Sequence, residues 1–121
     1  MSRVVHFEIG AVDTDKIIKF YKDVFDWKFT KFGGPMEYWT VVTGDEKSPG
    51  ISGGIFKSKG EAVTTNIIGV DNIDNYVKKI ESNGGIITVP KMVIPGVGWL
   101  SYFKDVEGNL LGVIQPDSNA K

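Results

Sequence analysis

His6-Phe7-Glu8-Ile9-Gly10 is answered 59 positions later by Thr65-Asn66-Ile67-Ile68-Gly69, and the residues between them recur in the same order. Residues 15–25 fall on 74–84, with Ile18 on Val77 and Tyr21 on Ile80. Further on, Gly53-Gly54-Ile55 falls on Gly112-Val113-Ile114. A period of about 60 is longer than a solenoid unit, so two copies point to a duplicated domain with a shared cleft. The repeat aims His6, Gly53, Thr65 and Gly112 into that cleft. Of these four, only His6 has a side chain that binds metal strongly.

Each copy reads as βαβββ. In the first, Val5, Phe7 and Ile9 alternate with His6 and Glu8 over residues 3–11, which is the period of a strand. Asp13-Thr14-Asp15 offers N-cap side chains. Ile17, Ile18, Phe20, Tyr21, Val24 and Phe25 then follow at helical spacing, opposite lysines and aspartates. Strands are expected over 27–32, 38–43 and 51–57, with a turn at Gly33-Gly34-Pro35. Residues 58–61 are a short linker. The second copy predicts a strand over 63–70 and a helix over 71–82. Asn83-Gly84-Gly85 stops that helix. A strand over 86–90, a Pro/Gly-rich loop over 91–98 and strands over 99–104 and 109–115 complete it. Residues 116–121 read as a frayed tail. The two modules, about 3–57 and 63–117, make one domain over 1–121.

Alternation also assigns faces. Phe7 and Ile9 go under the first helix, leaving His6 and Glu8 in the cleft. Leu111 and Val113 pack on the second helix, leaving Gly112 in the cleft. Trp39, Trp99 and Tyr102 lie on strands expected to edge it, where polar-tipped aromatics suit a small amphipathic molecule. Gly53, Thr65 and Gly112 would make room. The apolar loop 90–99 reads as a pocket lid or a subunit contact.

Composition excludes much else. The net charge is −1, with no basic stripe, so neither nucleic acid nor an anionic membrane is an expected partner. The chain has no cysteine, which removes disulfides, thiolate catalysis and cysteine-ligated zinc. It shows no signal-peptide h-region and no apolar run of membrane-spanning length. A cytoplasmic protein is the expectation.

The pattern resembles the vicinal oxygen chelate superfamily of glyoxalase I, extradiol dioxygenases, and fosfomycin and bleomycin resistance proteins. It is carried by His6-Phe7-Glu8-Ile9, by Phe20-Tyr21-Lys22-Asp23-Val24-Phe25-Asp26-Trp27, and by Asp105-Val106-Glu107-Gly108-Asn109. The resemblance implies an α+β fold: two βαβββ modules forming a curled mixed sheet around a cleft, with helices outside. It also implies a homodimer. The family's metal ligands come from the first and last strand of each module, here His6, Gly53, Thr65 and Gly112. Only His6 fits. A divalent ion wants at least three good protein ligands, so no metal cofactor is expected. The reading is a metal-free small-molecule-binding protein of the glyoxalase/bleomycin resistance type. The alternative is a lyase, isomerase or dioxygenase-type enzyme, either metal-dependent through other ligands such as Glu8 or Glu37, or metal-free with His6 and Glu8 as acid and base. A third reading is an interaction module whose cleft is filled by its own side chains.

Overall fold

The computed structural model describes residues 2–34 and 36–121; Pro35 of the expected turn lies outside them. Two compact units divide the chain. One is His6–Thr64, and the other is Thr65–Lys121 together with the residues through Val5.

In the first unit the order is β1 (Arg3–Ala11), α1 (Thr14–Phe25), β2 (Lys28–Lys31), β3 (Tyr38–Val42) and β4 (Gly53–Lys57). The strands lie side by side as β2-β3-β4-β1. β1 runs parallel to β4, with Phe7 opposite Gly53 and Glu8 opposite Gly54. β3 is antiparallel to both neighbours. Asp13 caps α1 by accepting from the Lys16 amide, and the helix stops at Asp26, whose φ of 59° is the left-handed conformation that aspartate tolerates. Its apolar stripe buries against Phe7, Ile9, Ala11, Val41 and Ile55. Trp27 closes that core by stacking on Tyr21, centroids 4.7 Å apart.

The second unit repeats the plan with β5 (Val63–Gly69), α2 (Ile73–Ser82), β6 (Ile86–Ile94), β7 (Gly98–Lys104) and β8 (Leu110–Pro116). β5 begins at the close of the first unit and passes into the second. The order is β5-β8-β7-β6, with β5 parallel to β8. Asn72 caps α2, at the position that matches Asp13 by the 59-residue offset. Gln115 adds a second acceptor, its Oε1 taking the Ile73 amide at 3.0 Å. The helix ends as its glycines imply: Gly84 adopts φ 93° and the Gly85 amide bonds back to the Ile80 carbonyl at 2.8 Å.

Two expectations need correction. Residues 91–94 are not a loop. β6 continues through Pro90 to Ile94, pairing Val93 with Trp99 and Ile94 with Gly98 after two register shifts. Pro90 is tolerated because β6 is an edge strand, where a missing N–H breaks no ladder bond. The expected loop shrinks to the turn between β6 and β7. The tail is not frayed either. The Gly96 amide bonds the Ala120 carbonyl at 2.9 Å, Ala120 is buried, and Asp117 bonds both the Val97 carbonyl and the Trp99 indole. Among the described residues, no helix is long and apolar enough to cross a membrane.

Candidate functional site

The first unit gathers three polar side chains on the sheet face opposite α1. β1 turns His6 and Glu8 to that face because Phe7 and Ile9 are claimed by the helix core. β4 places Gly54 opposite Glu8, and β3 brings in Tyr38. The Tyr38 hydroxyl lies 2.9 Å from His6 Nε2, with Glu8 near enough to act on it electrostatically. Gly54 makes this possible. A β-carbon there would collide with the Tyr38 hydroxyl and ring, so only glycine lets the phenol lie down on the strand. The start of β3 is held firmly. The Phe32 amide bonds the Tyr38 carbonyl at 2.8 Å, the Lys57 amide bonds the Glu37 carbonyl at 3.2 Å, and the Thr14 hydroxyl donates to the Glu37 carboxylate.

Burial dominates the electrostatics. Glu8 is only 7% exposed, and a carboxylate so placed needs hydrogen bonds to offset lost solvation. Burial holds His6 below its ordinary value of 6.5, with Glu8 pulling the other way. Tyr38 is pushed far above its ordinary 10.0 by burial first, then by the charge of Glu8 and the bond to it. At neutral pH the imidazole is therefore neutral and the phenol protonated.

His6 and Glu8 fall on the expected face, but Gly53 does not. A β-carbon at Gly53 would sit 2.7 Å from the Phe7 ring, on the helix side. Parallel pairing puts directly opposed residues on one face, so Gly53 goes with Phe7 and Gly54 with Glu8. The repeat thus slips by one in the closing strands, where Gly54 rather than Gly53 is the counterpart of Gly112. Trp39 is also on the helix side. It pairs with Ile55 and packs in the α1 core, with Lys31 near its ring and its Nε1 buried without a partner. Trp99 likewise packs on the α2 core, bonding Asp117 at 3.3 Å under the Lys91 ammonium.

In the second unit Thr65, Tyr102 and Gly112 do share the face opposite α2. Tyr102 is paired with Gly112, and its ring and Ile67 fill the space a β-carbon at Gly112 would take. Thr65 is 3% exposed. Tyr38 is the residue that sequence reasoning missed. Alternation alone did not find it, because Tyr38 and Trp39 are adjacent aromatics with polar tips. The second unit also has an open groove of about 660 Å³ between α2 and β6, lined by Asp74, Val77, Lys78, Glu81, Ile87, Pro90 and Lys91. It holds none of the candidate residues, and two of its charges, Lys91 and Asp74, pair with each other.

The donors fit a divalent metal poorly. His6 and Glu8 stand two apart on one strand, and His6 Nε2 is already held by Tyr38. Gly54 and Gly112 carry no donor, Thr65 is neutral, and Glu37 is engaged by Thr14. Among the described residues, no three His, Cys, Asp or Glu side chains gather into a group that could hold an ion.

Comparison with known proteins bears on this geometry. The profile of the Glyoxalase/Bleomycin resistance protein/Dioxygenase superfamily matches residues 3–113. A probable lactoylglutathione lyase of Vibrio cholerae is 29% identical over 124 residues, covering 93% of this chain and 90% of the relative. Among solved structures, a hypothetical protein from Bacillus halodurans C-125 superposes with TM-score 0.74 at 13% identity, covering 99% of this chain and 98% of the other. Methylmalonyl-CoA epimerase from Mycobacterium tuberculosis gives 0.70 at 13% identity, covering 93% and 87%. Likeness at these identities shows the fold alone.

Proposed function

Because the chain belongs to the glyoxalase/bleomycin resistance protein/dioxygenase superfamily, we propose that it binds a small organic molecule on the sheet face that carries His6, Glu8 and Tyr38, without a resident metal. The observation that carries this reading is the buried hydrogen-bonded set itself. Three polar groups held in fixed orientation against a glycine floor are the kind of convergent polar lining that reads a ligand's orientation. A carboxylate kept this dry is costly. The test is a fragment screen on nitrogen-15-labelled protein. Hits should shift amides of β1, β3 and β4 and weaken in Tyr38→Phe. Hits confined to other elements would overturn the assignment. Titration with zinc, nickel and manganese ions should give no stoichiometric uptake. Tight one-to-one uptake that is lost in His6→Ala would overturn the metal-free part.

One observation favours a second reading, a metal-free lyase or isomerase. The imidazole of His6 is neutral near pH 7 and sits beside a carboxylate, the state a general base requires. The names of the Vibrio relative and the Mycobacterium neighbour, a lyase and an epimerase, are in keeping with it. In His6→Ala, loss of turnover with ligand affinity retained would select the enzyme. Weakened binding with no turnover in either form would select the binder.

A further inference from the structure

We infer that Thr14 and Glu37 are positioning residues for the Tyr38 face: the hydrogen bond between them holds Tyr38 down on Gly54, against His6. Its bearing on ligands rests on the small-molecule reading above; its bearing on Tyr38 does not. Alternation gives the mechanism. Glu37 and Trp39 flank Tyr38 and take the opposite side of the strand from it. Both are anchored on that side. Trp39 packs in the α1 core, and the Glu37 carboxylate accepts from the Thr14 hydroxyl in the first turn of α1. A residue clamped between two such neighbours has its Cα–Cβ bond aimed at the other face. From there the phenol crosses Gly54 and reaches His6 Nε2 at 2.9 Å. The main chain is tied at the same point. The Glu37 carbonyl accepts the Lys57 amide at 3.2 Å, and the Lys57 ammonium bonds the Val12 carbonyl just before α1. The end of β4 thus joins the start of α1 to the start of β3, and the Thr14–Glu37 bond closes the ring.

The second unit supplies the contrast. Ile73 opens α2 after its cap Asn72, as Thr14 opens α1 after its cap Asp13. Both first residues are buried, Ile73 at 1% and Thr14 at 5% exposure. Packing at this helix position is therefore met by an aliphatic side chain. Capping does not need the Thr14 hydroxyl either, because Asp13 already accepts from the Lys16 amide. The hydroxyl serves Glu37.

Thr14→Val tests this with little risk to the fold. It keeps the shape of the side chain, the Asp13 cap stays, and Glu37 is exposed, so its carboxylate passes to water. Proton NMR reads the result through two ring pairs. His6 is the only histidine in the chain, and its ring should show a cross-relaxation peak to the Tyr38 ring. Tyr21 on Trp27, centroids 4.7 Å apart, is the control within the same unit. In Thr14→Val the His6–Tyr38 peak should be lost while the Tyr21–Trp27 peak remains. Glu37→Ala, at an exposed position, should give the same selective loss. Thr14→Ser and Glu37→Gln keep donor and acceptor and should retain both peaks. A full His6–Tyr38 peak in folded Thr14→Val, or the absence of selective loss in both disrupting variants, would overturn the inference. So would a loss in Thr14→Ser as great as in Thr14→Val. Fragments that shift β1, β3 and β4 in the parent should bind Thr14→Val about tenfold more weakly, the factor expected of one lost hydrogen bond. Undiminished binding with the His6–Tyr38 peak gone would overturn the role in binding. A parent that binds no fragment would count against small-molecule binding itself, and the ring peaks would still decide the role of Thr14 and Glu37.

Discussion

The phenol of Tyr38 on β3 occupies the space that any side chain at Gly54 on β4 would need. The neighbouring glycine, Gly53, is pressed against the carbonyl and ring of Phe7 on the opposite face. Adjacent glycines therefore serve different ends, one opening the site and the other closing the core.

Alanine at the two positions should separate these roles. In Gly54→Ala the obstacle is the far end of a side chain that can swing away. Stability should fall by about 1–3 kcal/mol, while the His6–Tyr38 bond and ligand binding are lost. In Gly53→Ala the obstacle is backbone, which cannot yield, so the cost should reach about 3 kcal/mol or more. Urea denaturation of both variants checks the order. A Gly54→Ala protein as stable as the parent would contradict the packing described.

The pH dependence of stability should carry a His6 component of known sign. Folding lowers the affinity of His6 for a proton. Above pH 6.5 both states are neutral and the contribution is constant. As pH falls below 6.5 the unfolded chain protonates first, and stability drops until folded His6 protonates too. Tyr38 acts at the other end. Its raised value means that stability falls as pH rises past 10.0, where only the unfolded phenol ionises. Denaturation midpoints across pH should lose the acid slope in His6→Gln and the alkaline slope in Tyr38→Phe. Slopes of opposite sign would refute the assignment.

Trp39 and Trp99 should prove to be core residues. Trp39→Phe removes an indole N–H whose lack of a partner costs about 1–3 kcal/mol, which offsets much of the lost packing. Its stability should stay within about 1–2 kcal/mol of the parent. Trp99→Phe gives up a bond to Asp117 and the Lys91 contact, and should cost more. Calorimetric melting ranks the two, and neither should alter ligand affinity. A loss of affinity in Trp39→Phe comparable to that in Tyr38→Phe would restore Trp39 to the site.

Much of this architecture was legible in the chain. Strict alternation in β1 fixed which side His6 and Glu8 take, and the caps Asp13 and Asn72 marked both helix starts at one offset. What failed depended on partners that sequence does not reveal. The face of Trp39 follows from its pairing with Ile55, and two aromatics in a row at 38 and 39 leave parity open to either choice. Gly53 and Gly54 pose the same problem, settled by whether Phe7 or Glu8 lies opposite. Pro90 read as a strand breaker because its edge position, where a missing N–H is harmless, is a property of the sheet.

Native mass spectrometry of gently purified protein, with no metal or chelator added and Gly54→Ala run in parallel, tests metal-free binding at the Tyr38 face most directly. The expected result is a parent protein carrying a small organic mass and no metal, with that mass absent from a folded Gly54→Ala variant. A stoichiometric divalent ion on the parent, or an organic mass that Gly54→Ala retains in full, would contradict it.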